Sequence, residues 1–394
     1  MSDSSTVPNP RPRLPPTVWA LGWVSFFTDV STEIIYPLLP VFLTTTLGAS
    51  MAFVGLVEGI AESTASLLKI ASGWWSDKVR KRKPLMLLGY GLSALTRPLL
   101  ALAATGGHVL GARFMDRIGK GIRTSPRDAL LASSVPPEQR GAAFGVQRAM
   151  DNAGAVFGPL IAWIMLQWFT SDYRMLFWVA VLPMAGAMAC LIFGARDQDL
   201  PATAAKEQAP FSITPAFRNY LGAVLLFTLG NSSDAFLLLR AQAVGVPVSS
   251  LPLLWLALSL VKSVSSYPAG LLSDRIGRRG LIIGGWCVYA LVYLGFGFAH
   301  QLWHIWALFL AYGLFYGMTE STERALVADF YPDAQRGRAF GSFNFIIGIG
   351  ALPASLLTGW LWTAYGPGVA FSMGAMLSLA AAAWFCTQSQ RGTS

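Results

Sequence analysis

The chain has 394 residues, 54% of them apolar or aromatic and only 12% charged, with 29 Lys and Arg against 20 Asp and Glu for a net charge of +9. So few charges cannot cover a water-facing surface over so much apolar mass, and lipid is the expected solvent for most of the chain. A disordered chain, a disulfide-stapled secreted domain and an ordinary soluble enzyme are excluded, and Cys190, Cys287 and Cys386 stand apart with no CxxC spacing to suggest bridges or zinc.

Twelve charge-poor runs of about 20 residues follow one another, each long enough at ~1.5 Å per residue to cross ~30 Å of hydrocarbon. They lie near 18–45, 51–75, 84–105, 107–133, 141–166, 174–195, 217–241, 247–272, 280–300, 303–328, 338–362 and 368–387. The first sixteen residues are polar and proline-rich, and the span behind them is too long and polar for a signal peptide, so the N-terminus is expected to stay in the cytoplasm. Span 1 carries Asp29 and Glu33, and span 2 carries Glu58 and Glu62; each pair is spaced i,i+4 and shares a helix face. Span 3 has the single charge Arg97. Span 4 holds Arg113, Asp116, Arg117, Lys120, Arg123, Thr124, Arg127 and Asp128, which at 100° per residue fall within an arc of roughly 140°. Such a stripe cannot face lipid and needs anionic partners or a wet cavity. Asp29, Glu33, Glu58 and Glu62 are the expected partners, while Arg127 and Asp128 are expected to engage the loop at Asp77 as a gate. In span 5, Arg148 and Asp151 are most simply an i,i+3 pair beside Gln147 and Asn152.

The polar stretch 196–216 separates this half from a milder one. Span 7 offers Asn231 and Asp234, span 8 Lys262, and span 10 Tyr312, Tyr316, Glu320, Glu323 and Arg324. Tyr312, Tyr316, Glu320 and Glu323 recur at i, i+4, i+8 and i+11, so one face of span 10 carries rings and acids together and is expected to hold an organic substrate; packing with satisfied hydroxyls is the plainer alternative. Glu323 and Arg324 occupy the places of Arg127 and Asp128 and are expected to form the matching gate. Spans 6, 9 and 12 have no ionisable group, so every third helix is expected to be a lipid-facing brace. His300 and His304 lack a third ligand, and Asn231-Ser-Ser, a glycosylation triplet by pattern, lies inside a span.

Charge placement tests the topology. With the N-terminus inside, the cytoplasmic segments collect Lys78 to Lys83, Arg140, Arg196, Arg275, Arg278, Arg279, Arg336 and Arg338, whereas outside segments hold only Arg174 and Arg240. The positive excess therefore sits where anionic lipid would attract it, and no nucleic-acid partner is expected. The chain also repeats at a separation of about 197 residues: Gly73-Trp-Trp-Ser-Asp77 aligns with Gly270-Leu-Leu-Ser-Asp274, and Arg140-Gly-Ala-Ala-Phe-Gly145 with Arg336-Gly-Arg-Ala-Phe-Gly341. Two parallel six-span repeats with a site between them is a transporter layout.

These residues resemble the major facilitator superfamily. The loop at Gly73, Asp77, Lys78, Arg80 and Arg82, and its counterpart at Gly270, Asp274, Arg275, Gly277, Arg278 and Arg279, are similar to that family's G-x-x-x-D-R-x-G-R-R signature. Gly145, Gly154, Gly158 and Pro159 in span 5 resemble the G-x8-G-x3-G-P pattern of its drug:proton antiporters. Arg117-Ile-Gly-Lys120-Gly121 is similar to R-x-x-Q-G, with lysine in place of glutamine, and Pro37-Leu-Leu-Pro40 to the exporters' P-x-x-P. The resemblance implies a gating loop in each half and leans towards export.

The expectation is thus an all-α integral membrane protein of twelve helices in two six-helix bundles related by a pseudo-two-fold axis. Its parts are a tail (1–17), a bundle (18–195), a linker (196–216), a second bundle (217–387) and a tail (388–394), with both termini cytoplasmic and the protein a multi-pass monomer of the inner membrane. Two carboxylates ~6 Å apart at low dielectric do not both ionise easily, so Asp29 or Glu33, with Arg117 as a switching partner, is the expected proton carrier. Asp29 lies about eleven residues into its span, ~16 Å deep. Glu58, Glu62, Arg113, Asp116, Lys120 and Arg123 complete the expected coupling set. Protons are the expected coupling ion and a small organic molecule the substrate; uptake by symport and export of a metal or metal chelate are the alternatives. No cofactor is expected, since Gly119-Lys120-Gly121 lacks the GxxxxGK[ST] frame, and no GxSxG or HExxH suggests an enzyme.

Overall fold

The computed structural model describes residues 14–78, 82–136, 139–197 and 211–388, without the side chains of residues 73–78, 333 and 334. Most of both tails and residues 198–210 of the expected linker thus lie outside the described residues. Among those described are twelve long helices: α1 (Pro16–Thr46), α2 (Met51–Lys78), α3 (Lys83–Ala101), α4 (Gly106–Ser133), α5 (Arg140–Trp168), α6 (Tyr173–Gly194), α7 (Pro215–Ala243), α8 (Leu251–Ile276), α9 (Arg278–Phe298), α10 (Leu302–Asp329), α11 (Asp333–Tyr365) and α12 (Pro367–Thr387). Ten of them are long and apolar enough to cross a membrane on their own composition; α3 and α4 are not. The reason is Arg97 on one and the charged stripe on the other, both of which turn inward: Arg97, Arg113, Asp116, Arg117 and Arg123 are all buried.

The helices form two six-helix bundles, α1–α6 and α7–α12. In the first, α1 packs on α5, and α4 on α2 and α3; in the second, α8 packs on α10, and α9 and α7 on α12. The brace helices carry apolar rows outward, such as Leu88, Leu95 and Leu99 on α3, and Met376, Leu379 and Trp384 on α12. Equivalent basic residues close equivalent helix ends in the two bundles. Arg82 Nη1 donates to Ala129 O at 2.6 Å, and Arg278 donates to Ala325 O. Arg140 Nε donates to Ala132 O at 3.2 Å, and Arg336 Nε to Ala328 O at 3.1 Å. Lys83 Nζ donates to Ile192 O and Ala195 O at 2.7 Å, where Arg279 donates to Phe385 O and Cys386 O. The last carbonyls of a helix lack intrahelical partners and carry the negative end of its dipole, so cations stabilise them there. The basic loops therefore clamp the C-terminal ends of α4, α6, α10 and α12.

The bundles meet along α2–α11 and α5–α8. At the end away from the basic loops, α2 and α11 are in backbone contact: a Cβ added at Gly359 would fall 2.6 Å from Met51 O. One turn before Pro353, Ser63 Oγ donates to Gly348 O at 2.6 Å and accepts from the Leu352 N–H at 3.1 Å, straddling one turn of α11. At the basic end, a Cβ at Gly141, Gly145 or Gly270 would meet nothing within 4 Å among the described residues. Among the described residues the seam is thus closed at one end, with open space beside it at the basic end.

Candidate functional site

The α4 arginines are paired mainly by α2, and the acid of the stripe, Asp116, is met by Arg97 of α3. Arg113 Nη2 contacts both Glu58 oxygens, at 2.8 and 2.7 Å, with both side chains nearly fully buried. Arg97 reaches Asp116 at 3.5 Å while donating to Ser31 Oγ at 3.0 Å and Thr32 Oγ1 at 2.9 Å, tying α3 to α1 and α4. Arg117 lies 3.6 Å from Glu62 and 3.9 Å from Asp116; Glu62 is half exposed, so this pair alone opens on one side to the centre. Arg123 lies over the Tyr90 ring at 4.6 Å and donates to Ser93 Oγ, facing α3 and not the centre. Lys69 and Lys120 have no ion-pair partner within 4 Å among the described residues.

Asp29 and Glu33 are placed by α5. A Cβ at Gly154 would fall 2.8 Å from Asp29 Cβ, and one at Gly158 would fall 2.6 Å from Glu33 Cβ, so these two glycines let α1 press its carboxylates against α5, with Pro159 buried beside them. Gly145, the first glycine of the pattern, faces open space. Neither Asp29 nor Glu33 forms an ion pair with Arg117, because the α4 stripe is aimed at α2 and Glu62 takes the guanidinium. Glu33 instead accepts a hydrogen bond from Trp255 Nε1 of α8 at 2.6 Å, and the Tyr36 ring lies on Trp255 with centroids 4.9 Å apart. This bond joins the two bundles. Arg148 also crosses the seam, reaching Glu320 at 3.5 Å in place of the expected pair with Asp151, which accepts from Gln147 at 2.6 Å.

In the second bundle α7 is broken. Its first segment ends at Gly230, Asn231 is non-helical with φ −93° and ψ 84°, and the second segment begins at Ala235 after Asp234. The loosened backbone is held by tyrosines: Tyr289 Oη donates to Gly230 O at 3.0 Å and Tyr293 Oη to Ser232 O at 3.3 Å. Tyr312 Oη donates to Asp234 Oδ1 at 2.6 Å and Tyr316 Oη to Oδ2 at 3.0 Å. Glu320, one turn on, is held by Lys262 at 2.7 Å and lies 3.9 Å from Arg324. A cavity of about 270 Å³ opens between the bundles, with Tyr36, Glu62, Asn231, Asp234, Tyr316 and Glu323 on its walls.

The gate residues are arranged differently from the expectation. Arg127 pairs with its neighbour Asp128 at 2.9 Å and donates to Ser25 at 3.3 Å; the side chain of Asp77 and the surroundings of Gly73 lie outside the described residues. In the second half Asp274 and Arg275 are exposed without a described partner, and Gly270 borders an open hollow between α8 and α10. Glu323 accepts from Trp286 Nε1 at 2.9 Å and faces the cavity. Arg278 contacts Asp329 at 2.5 Å, tying the start of α9 to the end of α10. The sequence offered Trp255 and Phe315 only as rings near the span 10 face; the indole donors of Trp255 to Glu33 and Trp286 to Glu323, the cation clamps and the break in α7 were not anticipated. The break had a signal: Gly230-Asn-Ser-Ser-Asp234 is a polar interruption of an apolar run.

Comparison with known proteins agrees with this architecture. The chain matches the Major Facilitator Superfamily over residues 21–239 and again over 220–393. An uncharacterised MFS-type transporter of Methanocaldococcus jannaschii is 32% identical over 377 residues, 92% of either chain. The multidrug resistance protein MdtH of Photorhabdus laumondii is 29% identical over 145 residues, 37% of this chain and 35% of its own. The solved structure of the nucleoside transporter NupG has a TM-score of 0.79, covering 94% of this chain and 99% of that one at 13% identity, a likeness of fold alone. With repeated six-helix halves, buried charge at membrane depth and a cavity between the bundles, the chain belongs to the major facilitator superfamily, a family of transporters.

Proposed function

We propose that this protein is a proton-coupled secondary transporter that exports a small organic molecule by alternating access, as a multi-pass monomer of the inner membrane with both termini in the cytoplasm. The observation that carries the reading is the Glu33–Trp255 bond, a carboxylate of one bundle held by a donor of the other at the level of the central cavity. A carboxylate accepts a charge-assisted hydrogen bond roughly twice as strong as a neutral acceptor does. Proton uptake at Glu33 weakens this tie, and proton loss restores it, so the proton state biases which end of the molecule is open. Asp29, one turn away and pressed on Gly154, is the second acid of the couple, and Glu62 exchanges Arg117 for water or substrate at the cavity wall.

The direction follows from two supports. Gly154, Gly158 and Pro159 form the part of the antiporter-like pattern that seats Asp29 and Glu33. The partial similarity to MdtH points the same way. The cytoplasmic orientation of the open end rests on the clustering of basic residues there.

The test is an untargeted comparison of metabolites and toxin sensitivity in cells with and without the protein, followed by flux of the accumulated compound in everted vesicles under an imposed pH gradient. Export predicts uptake into everted vesicles driven by an acidic lumen, lost or uncoupled in Asp29→Asn or Glu33→Gln. Flux that runs in the opposite sense with the gradient makes the protein a symporter, and unchanged proton dependence in both variants removes the carboxylates from the mechanism.

A further inference from the structure

The charge of the cavity separates the substrate classes that the sequence leaves open. Basic α4 suits an anion by composition, yet two of its arginines are paired, Arg113 with Glu58 and Arg117 with Glu62 and Asp116, and Lys120, which has no ion pair among the described residues, is not on the cavity wall. Lys262, the nearest base in the second bundle, is bound to Glu320 at 2.7 Å and lies over the Tyr316 ring at 4.6 Å. The described residues that line the cavity include three carboxylates, Glu62, Asp234 and Glu323, and no basic side chain.

Two of the three have no cation within ion-pair distance among the described residues. Asp234 is held by the hydroxyls of Tyr312 and Tyr316, and Glu323 by the indole of Trp286. A carboxylate takes more than one or two neutral donors when it is charged, so each retains acceptor capacity towards the cavity. The backbone adds to this. The sixteen-residue first segment of α7 ends at Gly230 beside the cavity, and the end of a helix carries partial negative charge that favours a cation. The Asn231 side chain has no hydrogen-bond partner among the described residues and lines the same wall. Tyr36, Tyr316 and Phe227 line the same walls, and aromatic faces attract cations within about 6 Å, as Arg113 at 5.6 Å from the Tyr36 ring and Lys262 at 4.6 Å from the Tyr316 ring already show. A bare inorganic ion needs neither these rings nor about 270 Å³ of space.

We infer that the transported molecule is a small organic cation, a protonated amine or quaternary ammonium, whose charged nitrogen binds Asp234 at the break in α7, in the cavity that Tyr36 and Tyr316 also line. The inference rests on the transport reading above and names the substrate class for the same cavity. Asp234 is the anchor, Asn231 a polar contact for the rest of the molecule, and Glu323 a second acid deeper towards the basic end.

The experiment uses the full chain purified in detergent and three ring-matched probe sets: benzylamine, tyramine and benzyltrimethylammonium; benzoate and 4-hydroxyphenylacetate; and benzyl alcohol. Thermal stabilisation and calorimetric titration are read in potassium salts and again in sodium salts of equal ionic strength. The inference predicts that cations bind and that the matched anions and alcohol do not. It predicts a loss of affinity of about ten- to hundredfold in Asp234→Asn, the loss expected for one charged partner, and retention in Asp234→Glu. The melting temperature of ligand-free Asp234→Asn reports its folding separately. Binding by the anions or the alcohol alone, no binding by any cation, cation binding unaffected in folded Asp234→Asn, or stabilisation by sodium alone each overturns it. Cation binding without pH-driven flux of the bound cation in proteoliposomes leaves the substrate class standing and removes the proton coupling; pH-driven flux of benzoate without cation binding does the reverse.

Discussion

Replacing Trp255 with Phe isolates the bond that ties the bundles together. Phe keeps a ring to lie on Tyr36, whose centroid is 4.9 Å away, and removes only the Nε1 donor and part of the indole. The lost bond is short, at 2.6 Å, and Trp255 is only 8% exposed, so solvent screens it little. A hydrogen bond to a charged group contributes about 1.5–3 kcal/mol. At 1.4 kcal/mol per tenfold in an equilibrium constant, the balance between the state open at the basic end and its opposite shifts by roughly 10- to 150-fold away from the state described here. Spin labels on cysteines at Gly141 of α5 and Gly270 of α8, both beside open space, report the width of that mouth once Cys190, Cys287 and Cys386 are replaced by serine. Trp255→Phe should move the distance distribution towards the narrow mouth, and Glu33→Gln, which leaves a neutral bond, should move it less. An unchanged distribution in Trp255→Phe would refute the role assigned to the bond.

Other outcomes follow from the same contacts. Glu58→Gln strands a buried arginine and should destabilise the protein by about 3–5 kcal/mol in denaturation assays, whereas Glu58→Leu combined with Arg113→Met should recover most of that loss; a single variant as stable as wild type contradicts the burial of this pair. Gly158→Leu cannot fit against Glu33 and Val30 and should separate α1 from α5, abolishing flux, while Gly145→Leu faces open space here and should leave the unfolding free energy within about 0.5 kcal/mol of wild type in denaturation assays. Arg278→Gln removes the clamp on Ala325 O and Asp329 and should lower stability by about 0.3–1 kcal/mol, an effect that fades at high salt if it is electrostatic.

The fold was legible because hydrocarbon imposes its thickness on the chain: spans of about 20 residues and a repeat offset of about 197 suffice to define twelve helices in two halves. The partners of the α4 stripe were legible only as a set. Helical spacing places Glu58 and Glu62 on one face of α2, and the structure gives them to Arg113 and Arg117. The same spacing cannot say that α4 turns away from α1, so Asp29 and Glu33 were expected to meet Arg117, and a tryptophan from the other bundle meets Glu33 instead. Partners across the seam, such as Arg148 with Glu320, depend on how far the bundles have rotated, which no local period encodes. Basic loop residues were explained by topology alone, although a cation that follows a helix end has carbonyls to cap, as Arg82, Arg140, Arg278 and Arg336 do.

The central claim is that water and solutes reach the cavity acids from one side at a time. Its most direct measurement is thiol labelling of Asn231→Cys in the background free of native cysteines, with a membrane-impermeant reagent added to everted or right-side-out vesicles. The account predicts labelling from the cytoplasmic face in the state described here and a shift of reactivity towards the opposite face in Trp255→Phe. Equal labelling from both faces at once, or none from either face in any state, would contradict it.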